Sequence, residues 1–320
     1  MVKPFIAVMI VPTGIGASIG GHSGDATLAA RLLAGVCDSL IIHPNVVNAA
    51  DLNEMPTNAL YVEGSILDRF LRGEIFLEPT RANRLLVVCN KLNPMTLNCA
   101  AAARSLLGAR VDVLELDRPL VMVSTIKDGI ASGTAEGIDK LCDQVSGLSF
   151  DALAIHTEIE VEIEEAHQYL RSAAGVNPWG GVEAMVSRWA STALGRPVAH
   201  APIETDTSFN EVVPQALAPE LISASMLFSV LKGLHKAPRI RTEAGPYILA
   251  VDDVDAMISP MCWGSPHIAC TVASIPIIAV ANNTTNSPME GEPTFVVPSY
   301  LAAAGALVAL RLGLSVEDFI

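Results

Sequence analysis

The sequence predicts an α/β protein with mainly parallel sheets, helices on both faces, and two Rossmann-like lobes around a cleft. Three observations predict it. Short apolar runs alternate with amphipathic helical stretches along the whole chain. The apolar residues are chiefly Ala, Val, Ile and Leu, with aromatics at only 5%, which suits helices packed on a parallel sheet. Several strand-like runs end abruptly in Gly, Ser, His or Asn just before a helix, where parallel α/β folds place their ligands.

The elements follow in order. Apolar runs predict strands at 4–11, 38–42, 59–62, 84–89, 111–116, 119–124, 152–156, 197–200, 254–259 and 276–280. Helical spacing predicts helices at 26–36, 64–72, 95–107, 134–146, 160–173, 181–194, 219–234, 265–274 and 299–312. That is more strand than one ordinary sheet uses, and 320 residues leave room for two lobes. Ser146-Gly147-Leu148-Ser149 is the best break, giving lobes 1–148 and 149–320. The final helix, with its run Ala302-Ala303-Ala304-Gly305-Ala306, then packs closely, either back onto the first lobe or across a homodimer contact.

The first loop, Pro12 to Asp25, carries Gly14, Gly16, Gly20, Gly21 and Gly24 between a strand and a helix. Bare backbone N–H groups and a helix N-terminus make such a loop a cradle for anions. The dinucleotide fingerprint G-x-G-x-x-G fails, because Ile19 stands where the third glycine belongs. The phosphate-loop pattern matches from Gly16 to Ser23 except that His22 replaces its lysine. A nucleotide hydrolase is therefore one alternative, with Ile248 to Asp253 as its acidic strand. A tight turn capped by Ser23 or Asp25 is the purely structural alternative. Thr13, Ser23 and Asp25 join the glycines as ligand-binding candidates, and His22 is the first candidate for acid–base work, since an imidazole titrates near working pH.

Other strand ends add candidates. Leu40-Ile41-Ile42 runs into His43, Pro44 and Asn45, with Asn48 nearby. Tyr61-Val62 runs into Glu63, Gly64 and Ser65, so Glu63 is a partner carboxylate and Ser65 a ligand group or cap. Lys91 follows Cys89-Asn90 and reads as a surface residue. Ala154-Ile155 leads to His156, Thr157 and Glu158, an acid–base or metal pair ahead of an acidic helix. Gly175 to Glu183 reads as a loop in which Trp179 stacks on a flat ligand or anchors the core. Ala199 leads to His200, Ala201, Pro202, Ile203 and Glu204.

Near the C-terminus, Ala256 to Pro260 leads to Met261-Cys262-Trp263-Gly264-Ser265-Pro266-His267 and a helix. The next strand ends in Asn282 and Asn283. This looks like the donor-nucleotide half of two-lobed sugar-nucleotide enzymes at the level of architecture. Gly264, Ser265, Asn282 and Asn283 are candidate ligand contacts, and a neutral His267 a second proton donor.

The net charge of -14 and pI near 4.9 disfavour nucleic acid and anionic membrane as partners. Six cysteines without C-x-x-C spacing read as reduced core thiols of a cytoplasmic protein, with Cys262 the one nucleophile candidate. The apolar run after Lys3 is too short for a signal peptide, and Tyr300 to Leu312 is too short for a membrane span. No metal ligand set is expected.

The motifs Val11-Pro12-Thr13-Gly14-Ile15-Gly16, Gly21-His22-Ser23-Gly24-Asp25, His43-Pro44-Asn45, Tyr61-Val62-Glu63-Gly64-Ser65 and Ala199-His200-Ala201-Pro202 resemble, over essentially the full length, a domain family of unknown function. That resemblance implies no activity. The residues themselves lead to the expectation of an enzyme. It holds a small phosphorylated or sugar-nucleotide metabolite and performs group transfer or isomerisation by acid–base catalysis at His22, Glu63 and His267. A non-catalytic metabolite sensor built on the same loops is the competing expectation.

Overall fold

A computed structural model describes residues 3–22, 25–47, 55–172, 175–203, 209, 211–222 and 226–319. Ser23, Gly24, Asn48 and Glu204 lie outside the described residues. The strands are β1 (Ile6–Met9), β2 (Ser39–Ile42), β3 (Ala59–Tyr61), β4 (Phe76–Glu78), β5 (Arg84–Cys89), β6 (Arg110–Glu115), β7 (Val121–Lys127) and β8 (Ile130–Glu136). They continue as β9 (Ala152–Thr157), β10 (Val198–Pro202), β11 (Arg239–Arg241), β12 (Val254–Met261), β13 (Ile277–Thr284) and β14 (Phe295–Val297). The helices are α1 (Thr27–Ala34), α2 (Gly64–Leu71), α3 (Pro94–Leu107), α4 (Ile138–Ser146), α5 (Ile163–Ser172), α6 (Gly180–Leu194), α7 (Ala218–Ile222), α8 (Met226–Lys236), α9 (Ser265–Val272) and α10 (Tyr300–Arg311).

Six parallel strands form the first sheet in the order β14-β13-β12-β1-β2-β3. The chain moves outward from β1 in one direction and, after a long excursion, from β12 in the other. This is the doubly wound order, and β1 and β12 flank its switch point. Successive side chains of β1 enter opposite cores. Ile6 and Val8 pack with α2 and α9, whereas Ala7 and Met9 pack with α1 and α10. A strand buried on both faces explains why 4–11 reads as an unbroken apolar run.

The excursion builds a second parallel sheet, β10-β9-β5-β6, which reverses between β5 and β9. Leu86, Val88, Leu153 and Ile155 face α4 and α6. Val87, Ala154 and Ala201 face α3 and α8. Helix α8 also touches β3, so the first sheet's α1/α10 core continues into the second sheet. The expected division at 148/149 does not coincide with these sheets: it falls between β6 and β9 of one sheet, while the other sheet joins the chain's beginning to its end. Hydrophobic cores form where strands pair, and the long-range pairings β1–β12 and β5–β9 cross the 148/149 point.

Two differences from the sequence reading have local causes. Ile130–Glu136 is a strand paired antiparallel with β7, although 134–146 was expected to be wholly helical. The expected helix 219–234 is represented by α7 and α8, with residues 223–225 outside the described set.

Candidate functional site

The first loop and the Trp263 loop follow neighbouring strands and share one edge of the first sheet. The 284–286 segment lies against the first loop: Ser18 N donates to Thr284 O, Asn286 N donates to Ile15 O at 2.7 Å, and Asn286 Nδ2 donates to Gly129 O. Among the described residues, the first loop is thus bonded to the chain's own 284–286 segment.

The loop is pinned from every side. Asn45 Nδ2 donates to Gly20 O at 2.7 Å. Asn283 Oδ1 accepts from Ile19 N, while its Nδ2 donates to Ile19 O and Tyr300 Oη. Both asparagines, expected to bind ligand, are used to hold the loop. Removing Asn283 would strand the buried Tyr300 hydroxyl and the part-buried amide and carbonyl of Ile19. Asn283→Ala is expected to cost about 3 kcal/mol of unfolding free energy, readable by urea titration.

The glycines are steric necessities. Gly14 meets the β7–β8 hairpin, where Ala131 N donates to Gly14 O at 2.9 Å. A Cβ on Gly16 would lie 2.7 Å from Asn286 Nδ2. A Cβ on Gly180, at the start of α6, would lie 2.4 Å from Thr13 Cγ2. The amides of His22 and Gly20 donate to the carboxyl of Asp25. The negative group that the loop cradles is therefore its own. Burial of Asp25 outweighs those amides and raises its pKa to about 7.

His22 points away from the sheet into a buried polar chain. Its Nδ1 lies 2.7 Å from Tyr169 Oη, and Tyr169 Oη donates to Glu220 Oε2 at 2.9 Å. Asn177 Nδ2 donates to Glu220 Oε1 at 3.1 Å, and its Oδ1 accepts from Trp179 N and Gly180 N to cap α6. The phenol has one proton and gives it to Glu220. Nδ1 of His22 is then the donor to the phenol oxygen, and Nε2 carries the lone pair. Burial, reinforced by the Glu220 charge, holds the Tyr169 phenol well above its ordinary pKa. Trp179 packs edge-on against Tyr169, so it anchors this cluster. Tyr169 belongs to α5 and Glu220 to α7, both reached after strands of the second sheet. The cluster thus joins the carboxyl end of β1 to the second sheet's helices.

The other candidates stand apart. His43 caps its own turn, with Nδ1 accepting from Asn45 N, and burial lowers its pKa to about 4. Glu63 is buried and is itself the N-cap of α2. It accepts from Ser65 N, Ile66 N, Ser65 Oγ and Ser191 Oγ, while burial raises its pKa. This explains the residue as a cap that also ties α2 to α6. His200 lies between Thr157 Oγ1 and Glu183 Oε1, and His156 Nδ1 lies 2.9 Å from Thr96 Oγ1. Glu158 is exposed and takes no part, so the expected His156–Glu158 pair is not assembled.

His267 overturns an expectation. Its ring is buried beneath α9 with Nε2 3.0 Å from Ser259 Oγ, and it stacks on Trp263. Burial drives its pKa down to about 4. It is neutral, as expected, but it faces the core. Gly264 caps α9, Ser265 is exposed in its first turn, and Asn282 is exposed on β13. Cys262 is buried with its thiol pushed up to about 12, which removes it as a nucleophile.

Tyr169, Asn177 and Glu220 were not singled out as site residues in the sequence. All three are buried polar residues, and only Asn177, in an Asn-Pro turn, gives a local signal.

A family described as "Protein of unknown function (DUF3326)" matches residues 6–319. The chain belongs to that family. It is similar to an "Uncharacterized lipoprotein" of Synechococcus sp. (strain ATCC 27144 / PCC 6301 / SAUG 1402/1), 35% identical over 331 residues and covering 98% of this chain and 92% of that protein. No solved structure matches. The relative's name implies attachment to a membrane through lipid, which overturns the cytoplasmic location expected from composition. Among the described residues no helix is long and apolar enough to cross a membrane.

Proposed function

We propose that this DUF3326 protein is an enzyme that performs general acid–base chemistry on a small anionic metabolite, with His22 exchanging the proton. The observation that carries the reading is the His22–Tyr169–Glu220 chain. An imidazole whose Nδ1 is fixed by a phenol, itself fixed by a carboxylate, is held in one orientation from which it can exchange a proton. Glu220 stabilises the imidazolium when His22 takes a proton, with Tyr169 relaying that support. Asp25, near pKa 7, is a second group able to change protonation close to neutrality. Group transfer and isomerisation are the reaction classes that need one such base. A phosphate-loop mechanism is disfavoured, because Asp25 takes the Gly20 and His22 amides and the His22 ring turns to Tyr169.

The test is a thermal-shift screen of phosphorylated metabolites and sugar-nucleotides, with each stabilising compound followed by NMR for conversion. At least one compound is expected to raise the melting temperature and be converted. Tyr169→Phe should slow that conversion by about a hundredfold while leaving the thermal shift in place. If the stabilising compounds are recovered unchanged, or none stabilises, the reading fails.

A further inference from the structure

A groove of about 810 Å³ runs between α2 and α6, on a different part of the molecule's surface chemistry from the His22 chain. Its size is that of a small-molecule site. Positions 65, 68, 69 and 72 of α2 and 185, 188, 189 and 192 of α6 share its walls, as helical spacing requires. Two features of these walls suit a ligand of one kind.

First, the groove is locally cationic in a chain of net charge -14. Arg69, Arg72 and Arg188 face Asp68 and Glu74 there. Arg72 pairs with Asp68 and Glu74, and Arg69 pairs with Glu74. Arg188 has no ion-pair partner among the described residues, so its guanidinium fork is available to an anion. Second, Trp189 leaves 47% of its surface exposed beside Arg188, offering an indole face rather than a core anchor.

An anionic group and a flat ring within one groove describe a nucleotide. We infer that the α2/α6 groove binds a free mononucleotide, its phosphate on Arg188 and its base against Trp189. From residue 185 to residue 192 the α6 wall extends about 10 Å, which accommodates a molecule of this length. The site does not involve His22, so it stands or falls independently of the acid–base reading.

The test uses AMP, GMP, UMP and CMP against the full chain, following tryptophan emission and equilibrium dialysis. At least one is expected to quench emission saturably. The matching nucleoside and ribose 5-phosphate should each bind about tenfold more weakly or worse. Arg188→Ala should weaken binding about tenfold, and Trp189→Phe should remove the quench and weaken binding by dialysis. Both side chains are exposed, and melting temperatures near the parent value would confirm that both variants are folded. No saturable binding of any of the four up to about 5 mM overturns the inference. So does binding that Arg188→Ala and Trp189→Phe leave unchanged.

Discussion

Gly21→Ala is expected to destabilise the protein by about 3 kcal/mol or more and to remove whatever activity His22 supports. The reason is a collision with main chain. A Cβ on Gly21 would sit 2.1 Å from the carbonyl oxygen of Ala17 and 3.1 Å from its carbonyl carbon. No rotamer relieves this, because the obstacle is backbone. The loop must shift, yet Asn45, Asn283 and Thr284 hold it on both sides. His22, the next residue, would lose its 2.7 Å approach to Tyr169. Gly147→Ala is the control. That glycine has an ordinary φ of -83° and nothing within 4 Å of an added Cβ. It should be neutral or gain up to about 1 kcal/mol through the unfolded state. Urea unfolding of the two variants measures both; comparable losses in each would refute the steric argument.

The second large effect is acid lability. Burial lowers His43, His156 and His267 from 6.5 to about 4. Between these values the folded protein keeps three imidazoles neutral, while the unfolded chain protonates them. Unfolding then takes up protons, and stability falls as pH falls. Asp25 opposes this. Raised from 3.8 to about 7, it holds a proton in the folded state that the unfolded chain has released, so its contribution improves as pH falls through that window. His235, also lowered by burial, adds to the imidazole side, and Glu63, raised by burial, adds to the carboxyl side. Four imidazoles against two carboxyls leave about two protons net, or roughly 3 kcal/mol per pH unit between 6.5 and 4. Urea midpoints measured across that range should drop steeply. A flat profile would show that these rings are solvated in the native state.

Much of the scaffold was legible because its local and global signals agree. The runs at 38–42, 84–89 and 152–156 are apolar on both faces, and each is a central or near-central strand. Ile130–Glu136 was not legible: Ala131, Ser132, Gly133 and Thr134 carry little hydrophobic signal, and the strand exists through its pairing with β7. Strand β11 contains two arginines and is recognisable only through β4. For the candidate site, strand-end chemistry drew notice to His22. Its partner Tyr169 lies 147 residues away and reads locally as one face of an amphipathic helix. The topology that brings the two together leaves no short-range pattern. Asn283 and Asn45 misled for a related reason, since an amide that clamps a neighbouring loop looks in sequence like one that awaits a ligand.

The position of β1 bears on how the molecule is made. Ile6 donates to Asp255, 249 residues further along. During synthesis the first three strands leave the ribosome with one side of β1 bare, and the missing neighbour is among the last segments translated. The sheet spanning 84–202 has all of its strands long before that. The nascent chain must therefore carry an open, apolar β-edge through most of elongation, which favours aggregation whenever translation stalls before β12.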